Sequence, residues 1–318
     1  MKLYSFVDPS GRNKIGWLSQ GGIVDMNTFN ASLPTDMLSF IQHHSEHLPW
    51  LEKNKNLRPH YLFDQIKILP PLPNPPSFRD YIGFEQHMLN ASKSFGHTIG
   101  EAWYEMPIFY FTNHQIITGP DAEIKRPAKE TRMDLELEMA VIIGKKGSNI
   151  NPDHADDYIF GYTIFNDWTA RAIQRVEMQV PLGPHKGKDF ANTLGPCIIT
   201  KDELNQFKCE IDPTSFPSHL KFPPDPRFRF DLKMSAKIND QVICNGNYNT
   251  VYWTFPYQIA RASENDVTLY PGDVLGSGTL GWGSLIENNF SVHRPLEPGD
   301  VVELEIENIG ILRNKIVS

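Results

Sequence analysis

Glu136 and Glu138 stand two residues apart in Met133-Asp134-Leu135-Glu136-Leu137-Glu138-Met139-Ala140-Val141-Ile142-Ile143-Gly144. The branched apolar run that follows them, ending at a glycine, predicts a strand over this segment. Side chains alternate faces along a strand, so both glutamates point one way and Leu135 and Leu137 the other. Two parallel carboxylates repel each other, and burial raises the cost. A divalent cation between them would offset that repulsion, and oxygen ligands suit a hard ion such as Mg²⁺, Ca²⁺ or Mn²⁺. The competing reading is an exposed edge strand with two solvated glutamates.

Other segments carry residues of the same chemical kinds. Arg79-Asp80-Tyr81-Ile82-Gly83-Phe84-Glu85-Gln86-His87 offers a carboxylate and an imidazole. Phe165-Asn166-Asp167-Trp168-Thr169-Ala170-Arg171-Ala172-Ile173-Gln174 offers a carboxylate, a guanidinium and an amide, and Pro181-Leu182-Gly183-Pro184-His185-Lys186-Gly187-Lys188 ends on an amine. Each also has a structural reading. Asp167 could cap a helix with Arg171 one turn on as its ion pair. His87 could be a satisfied core histidine and Lys188 a surface lysine. His43 and His47 could share a helix face, but without an acidic or cysteine partner they read as solvated. Gly276-Ser277-Gly278-Thr279-Leu280-Gly281 matches GxGxxG. No helix or βαβ unit with a later acidic residue follows it, which argues against nucleotide binding. Those glycines instead suit close approach of backbone to a ligand.

The elements that must position these residues are mostly strands. Ile15–Leu18 and Gly22–Asp25 predict a hairpin around Gly21-Gly22, and Met37 to Leu51 has helical apolar spacing. Ile68-Leu69-Pro70-Pro71-Leu72-Pro73-Asn74-Pro75-Pro76 is a stiff, extended connector that marks a domain boundary. It divides a small β-rich unit, residues 1–70, from a second domain, residues 77–318. Beyond it, Tyr81 to Ser94 reads as helical or as a helical loop. Phe109–Phe111, Leu137–Ile143, Ile159–Asn166, Cys197–Thr200, Phe230–Ile238 and Val242–Cys244 read as strands, the last two joined by a turn at Asn239-Asp240. Thr169 to Gln179 and Tyr257 to Ser263 complete the helices.

Bulk properties narrow the function. A length of 318 residues suits one large domain or two. The net charge of −8 argues against a nucleic-acid partner. No apolar stretch approaches the roughly 20 residues of a membrane span. The start lacks a signal-peptide core. Cys197, Cys209 and Cys244 are scattered without CxxC spacing, which fits free thiols in a reducing cytoplasm.

Taken in order, the motifs Asp134-Leu135-Glu136-Leu137-Glu138-Met139-Ala140, Asn166-Asp167-Trp168-Thr169-Ala170-Arg171, Val180-Pro181-Leu182-Gly183-Pro184, Val251-Tyr252-Trp253-Thr254 and Pro271-Gly272-Asp273-Val274-Leu275-Gly276-Ser277-Gly278-Thr279 resemble the fumarylacetoacetate hydrolase family. The resemblance spans nearly all of residues 68 to 312. It implies an α+β, mainly β fold: a mixed β-roll catalytic domain preceded by a small β-rich N-terminal domain, assembled as a homodimer. It also implies a divalent ion, Mg²⁺, Ca²⁺ or Mn²⁺, held by Asp80, Glu136, Glu138 and Asp167. By the same resemblance His87 is the general base and Glu287 its orienting carboxylate. Lys188 and Gln174 stabilise an oxyanion, and Tyr110, Arg171, Gln174 and Thr279 contact substrate. The implied activity is hydrolysis of a C–C bond in an acylpyruvate or β-diketone acid, in aromatic catabolism in the cytoplasm. The alternative is a lyase of the same family: a 2-oxo acid decarboxylase, or a 2-oxo-alkenoate hydratase or isomerase. A metal-bound ligand sensor is a third, non-enzymatic reading. The chain departs from the pattern at Ile82, near Gly96, and around Met178 and Gln179, where phenol and guanidinium contacts to substrate carboxylates are missing.

Overall fold

Leu137–Ile143 and Ile159–Asp167 are antiparallel neighbours in which every residue is buried. Strands covered on both faces read as near-continuous apolar runs, which is what these two sequences are. The computed structural model describes residues 1–95, 98–180 and 182–318. Gly96 and Pro181, both named in the sequence reading, lie outside the described residues.

The two strands form the middle of a sheet that runs, neighbour to neighbour, Tyr61–Leu62, Gly22–Asp25, Asn13–Ser19, Lys2–Val7, Asn192–Thr200, Ile159–Asp167, Leu137–Ile143, Val274–Gly276, Phe78–Tyr81 and Phe109–Phe111. A second sheet joins Gln241–Asn247, Lys233–Ile238, Val301–Ile306, Gly310–Val317 and Glu123–Lys125. Side chains of Leu137–Ile143 alternate between two cores. Met139, Val141 and Ile143 join Met234, Ala236, Val302 and Leu304 of the second sheet. Ala140 and Ile142 face the other way, toward Trp17, Met37 and Phe40. Each such fully buried aliphatic side chain contributes about 1.5–3 kcal/mol relative to exposure.

Residues 1–70 keep their own hairpins, yet Lys2–Val7 is hydrogen-bonded to Asn192–Thr200, with Leu3 opposite Ile198. Trp17 and Phe40 of this segment also share a core with Phe165 and Val274.

Several elements differ from the sequence reading. The first hairpin turns at Gln20-Gly21, both at positive φ, so Gly22 already belongs to the strand. Within Tyr81 to Ser94 the expected helix is present as Glu85–Phe95, while Tyr81 ends a strand, Phe78–Tyr81. Tertiary pairing with Val274–Gly276 and Phe109–Phe111 overrides helical spacing there. Met37 to Leu51 forms two helices, Met37–Gln42 and His44–Lys53, because the chain leaves helical geometry at His43. His43 and His47 therefore do not share a helix. Thr169 and Ala170 pair with Met133 and Asp134 before the helix Arg171–Glu177 begins, and the last predicted helix runs Phe255–Ala262. Phe230–Ile238 is split between Arg229–Phe230 and Lys233–Ile238. At Asn239-Asp240 the chain turns as expected, with both residues at positive φ, the geometry of a two-residue hairpin.

Candidate active site

The strand predicted over Leu135 to Glu138 is interrupted. Met133–Asp134 and Leu137–Ile143 lie in ladders, while Leu135 and Glu136 lie between them. The Glu136 N–H donates instead to the Asn166 side chain at 3.1 Å, so a side chain replaces a ladder bond. Glu136 and Glu138 still reach the same place. Their carboxylates gather with those of Asp80 and Asp167, with one oxygen of each lying within 4.8 Å of the others, and all four residues are buried. Asp80 ends up there because Phe78–Tyr81 runs parallel to Val274–Gly276, with Gly276 opposite both Asp80 and Ala140. A side chain at Gly276 would collide with Asp80, so glycine there makes the gathering possible.

Buried polar atoms are nearly always hydrogen-bonded. Among the described residues Asp80 Oδ1 and Asp167 Oδ1 find no donor, and both are enclosed. Burial and the neighbouring Asp167 carboxylate push Asp80 well above its ordinary pKa. Burial and the charges of Asp80, Glu136 and Asp167 do the same to Glu138. Four crowded carboxylates with two unpartnered oxygens form an all-oxygen donor set that fits a hard divalent cation.

Two cations lie against the cluster. Lys188 Nζ bridges Glu136 Oε2 and Asp167 Oδ2. Arg171 Nη2 donates to Glu136 Oε1 at 2.6 Å. Burial alone would raise the Glu136 pKa, but Lys188 and Arg171 outweigh it and hold the carboxyl well below its usual range. Tyr110 donates its hydroxyl to Asp167 Oδ2 at 2.8 Å. The Gly278 N–H donates to Glu138 Oε2 at 2.8 Å, and Thr279 Oγ1 lies 3.3 Å from Glu138 Oε1. The glycine-rich segment thus brings its backbone against the carboxylates. Gln174 joins through Arg171, whose Nη1 donates to its Oε1 at 3.2 Å.

His87 lies on the helix Glu85–Phe95, with Nδ1 3.0 Å from Glu287 Oε1, at ion-pair distance but not aligned as a hydrogen bond. Glu287 is buried and anchored by four other groups: Asn90 Nδ2 at 3.0 Å, the Trp282 N–H at 2.6 Å, and the Ser284 N–H and hydroxyl at 3.2 and 3.0 Å. In its protonated form His87 would help lower the Glu136 pKa, so its imidazole lies within electrostatic reach of the carboxylate cluster.

Residues 77–317 match the family model described as fumarylacetoacetate (FAA) hydrolase, C-terminal. The chain belongs to the fumarylacetoacetate hydrolase family. It is 31% identical over 263 residues to the fumarylacetoacetase of Arabidopsis thaliana, an alignment covering 73% of this chain and 62% of that protein. The chain thus spans about three fifths of the length of the curated relatives it matches. Among solved structures, a putative HpcE protein from Mycobacterium smegmatis superposes with a TM-score of 0.77 at 24% identity, covering 100% of this chain and 99% of that one. The fumarylacetoacetate hydrolase of the psychrophilic Exiguobacterium antarcticum gives 0.73 at 24% identity, with the same coverage. These likenesses bear out the α+β, mainly β fold expected from the sequence.

Family resemblance did not single out the carboxylates that hold the site together. Glu130 caps the helix Arg171–Glu177, accepting from the Ala172 and Ile173 N–H groups, each at 3.2 Å. Glu177 gathers the N–H groups of His185, Lys186 and Gly187 at 2.8–3.1 Å, just before Lys188. A spacing pattern of acidic residue and distant backbone amides has no sequence signature. Of the departures, Ile82 is half-buried and gives its carbonyl to Trp103 Nε1 at 2.8 Å, while Met178 and Gln179 are exposed. A cavity of about 570 Å³ lined by Tyr104, Pro107, Trp253, Tyr257, Arg261 and Glu264 contains none of the predicted site residues.

Proposed function

We propose that the chain is a divalent-metal-dependent hydrolase that cleaves a C–C bond in an acylpyruvate or β-diketone acid. The observation that carries this reading is the buried four-carboxylate cluster, with two unpartnered oxygens, bordered by an imidazole–carboxylate dyad. Asp80, Glu136, Glu138 and Asp167 would hold Mg²⁺, Ca²⁺ or Mn²⁺. When bound, such an ion supplies Lewis-acid polarisation of a carbonyl chelated through two oxygens.

The chain's own residues supply the proton chemistry. Glu287 faces His87 Nδ1 and leaves Nε2 to take a proton from water as the water oxygen bonds to the carbonyl carbon. The Lys188 ammonium and the Gln174 amide face the resulting oxyanion. Collapse re-forms the C=O and breaks the C–C bond. The electron pair passes into the adjoining 2-oxo group as an enolate, which takes back a proton to give a 2-oxo acid. Arg171 and Tyr110 orient the dioxo end, and Thr279 meets its far end.

The dyad favours hydrolysis over decarboxylation, hydration or isomerisation, since a base aimed at water is what hydrolysis adds to enolate chemistry. We read residues 1–70 and 77–318 as two domains fused through one sheet, in a cytoplasmic homodimer. Light scattering that finds a monomer at assay concentration overturns the dimer. The metal requirement is tested by stripping the protein with a chelator and assaying acylpyruvate cleavage before and after Mg²⁺ is restored. Loss and recovery are expected. Turnover indifferent to the chelator contradicts the proposal.

A further inference from the structure

Asp134 is fully buried, and the chemistry above does not use it. Its Oδ1 accepts from the Leu135 and Leu285 N–H groups, both at 2.8 Å. Its Oδ2 accepts from the Ile286 N–H at 3.0 Å and from Arg171 Nε at 2.9 Å. The first relationship fixes the entry to the single helical turn Ile286–Asn288, which carries Glu287. The second fixes one edge of the guanidinium whose Nη2 reaches Glu136 and whose Nη1 reaches Gln174. One carboxylate therefore joins the segment that seats the dyad to the cation that faces the metal ligands. The two segments are far apart in sequence.

We propose that Asp134 is a positioning residue that sets the Arg171 guanidinium and the seat of Glu287 together, so that the substrate-holding and base-holding halves of the site keep one spacing. This rests on the hydrolase reading above. Four donors converge on two oxygens, so no amide can replace the carboxylate. Whichever way an asparagine faced, its NH₂ would oppose two N–H donors, leaving buried polar groups unpaired. Arg171 would also lose a buried counter-charge while keeping its own.

The test is Asp134→Asn in the full chain loaded with Mn²⁺, with two readouts. Calorimetry measures the binding of oxalate, a planar dianion shaped like a 2-oxo acid enolate. Steady-state kinetics on an acylpyruvate separates kcat from KM. Asp134→Asn should weaken oxalate binding and raise KM through Arg171, and lower kcat through Glu287, each by about tenfold or more. In Asp134→Asn/Glu287→Gln the two kcat losses should not multiply, because both act on one seat. A role in folding alone would lower kcat with the folded fraction, leave KM and oxalate affinity unchanged, and give multiplying losses; that result overturns the proposal. If Asp134→Asn does not fold, Asp134→Asn/Arg171→Met removes the buried guanidinium that has lost its Asp134 partner and is compared with Arg171→Met. Equal kcat values then overturn the link to Glu287. A wild-type protein that binds no oxalate and cleaves no acylpyruvate refutes the hydrolase reading itself, whereas normal wild-type behaviour with an unaffected Asp134→Asn refutes only the role of Asp134.

Discussion

Gly276 makes room for Asp80: a Cβ on Gly276 would stand 2.4 Å from Asp80 Oδ1, and 3.1 Å from Glu138 Oε2. No real Cβ contact is as short as 2.4 Å, and the obstacle is a buried carboxylate of the proposed metal site. Gly276→Ala must therefore displace Asp80, with overpacking that costs about 1–3 kcal/mol. The expected outcome is a folded protein whose Mn²⁺ affinity, followed by electron paramagnetic resonance, falls at least about tenfold, or about 1.4 kcal/mol. Unchanged affinity would show that Asp80 is not a ligand.

The carboxylate cluster also sets a pH dependence. Asp80 and Glu138 have ordinary values of 3.8 and 4.5, and burial with neighbouring charge raises both well above these in the folded protein. Without metal, the folded chain keeps protons there that the unfolded chain gives up, so this contribution to stability falls as pH rises through that window. A cation needs the ionised carboxylates, so its affinity rises over the same range. Glu136 shifts the other way, but its contribution is already complete above its unfolded value. The rise in melting temperature on adding Mg²⁺ should therefore grow as pH is raised above the ordinary carboxylate range. A rise that shrinks with pH would place the ion elsewhere.

His87→Ala should keep the fold and the metal while losing about 10²–10⁴-fold in kcat, the usual share of a general base. Glu287→Gln should also lower kcat, because it removes the charge facing His87 Nδ1 and sets an NH₂ against two of the donors that anchor Glu287. Normal turnover in His87→Ala would assign the water's proton to another group.

The paired glutamates were legible because strand alternation is local: any strand through Glu136 and Glu138 sends both side chains one way. Their strand proved broken at Leu135 and Glu136, yet the direction held, since Asn166 replaces the missing ladder bond. Asp80 and Asp167 have no local signal and entered only through the order of family motifs. The strand Phe78–Tyr81 was missed because its partners, Val274–Gly276 and Phe109–Phe111, supply the pairing from elsewhere in the chain. Asp134, Glu130 and Glu177 were silent for a related reason. Their partners are mostly backbone N–H groups, which every residue type but proline offers.

Substrate choice follows from the contacts the chain lacks. Ile82 stands where the family resemblance implies an aromatic residue, and Met178 and Gln179 are exposed where it implies a phenol. A pocket without those donors gains little from a second carboxylate, whereas a site built to hydrogen-bond one discriminates strongly. A 2,4-dioxo acid with a small or apolar tail should therefore have a higher kcat/KM than fumarylacetoacetate. If fumarylacetoacetate leads by about tenfold, some 1.4 kcal/mol of transition-state preference, other residues replace the lost contacts.

The central claim, water-driven C–C cleavage at the carboxylate cluster, is tested most directly by product mass balance. The Mg²⁺-loaded protein is incubated with a 2,4-dioxo acid and every product is identified by mass spectrometry, with Glu138→Gln as control. The account predicts two acids whose masses sum to the substrate plus one water, absent in the control. Release of CO₂ with a single shortened 3-oxo aldehyde, or an isomer of unchanged mass, would contradict it.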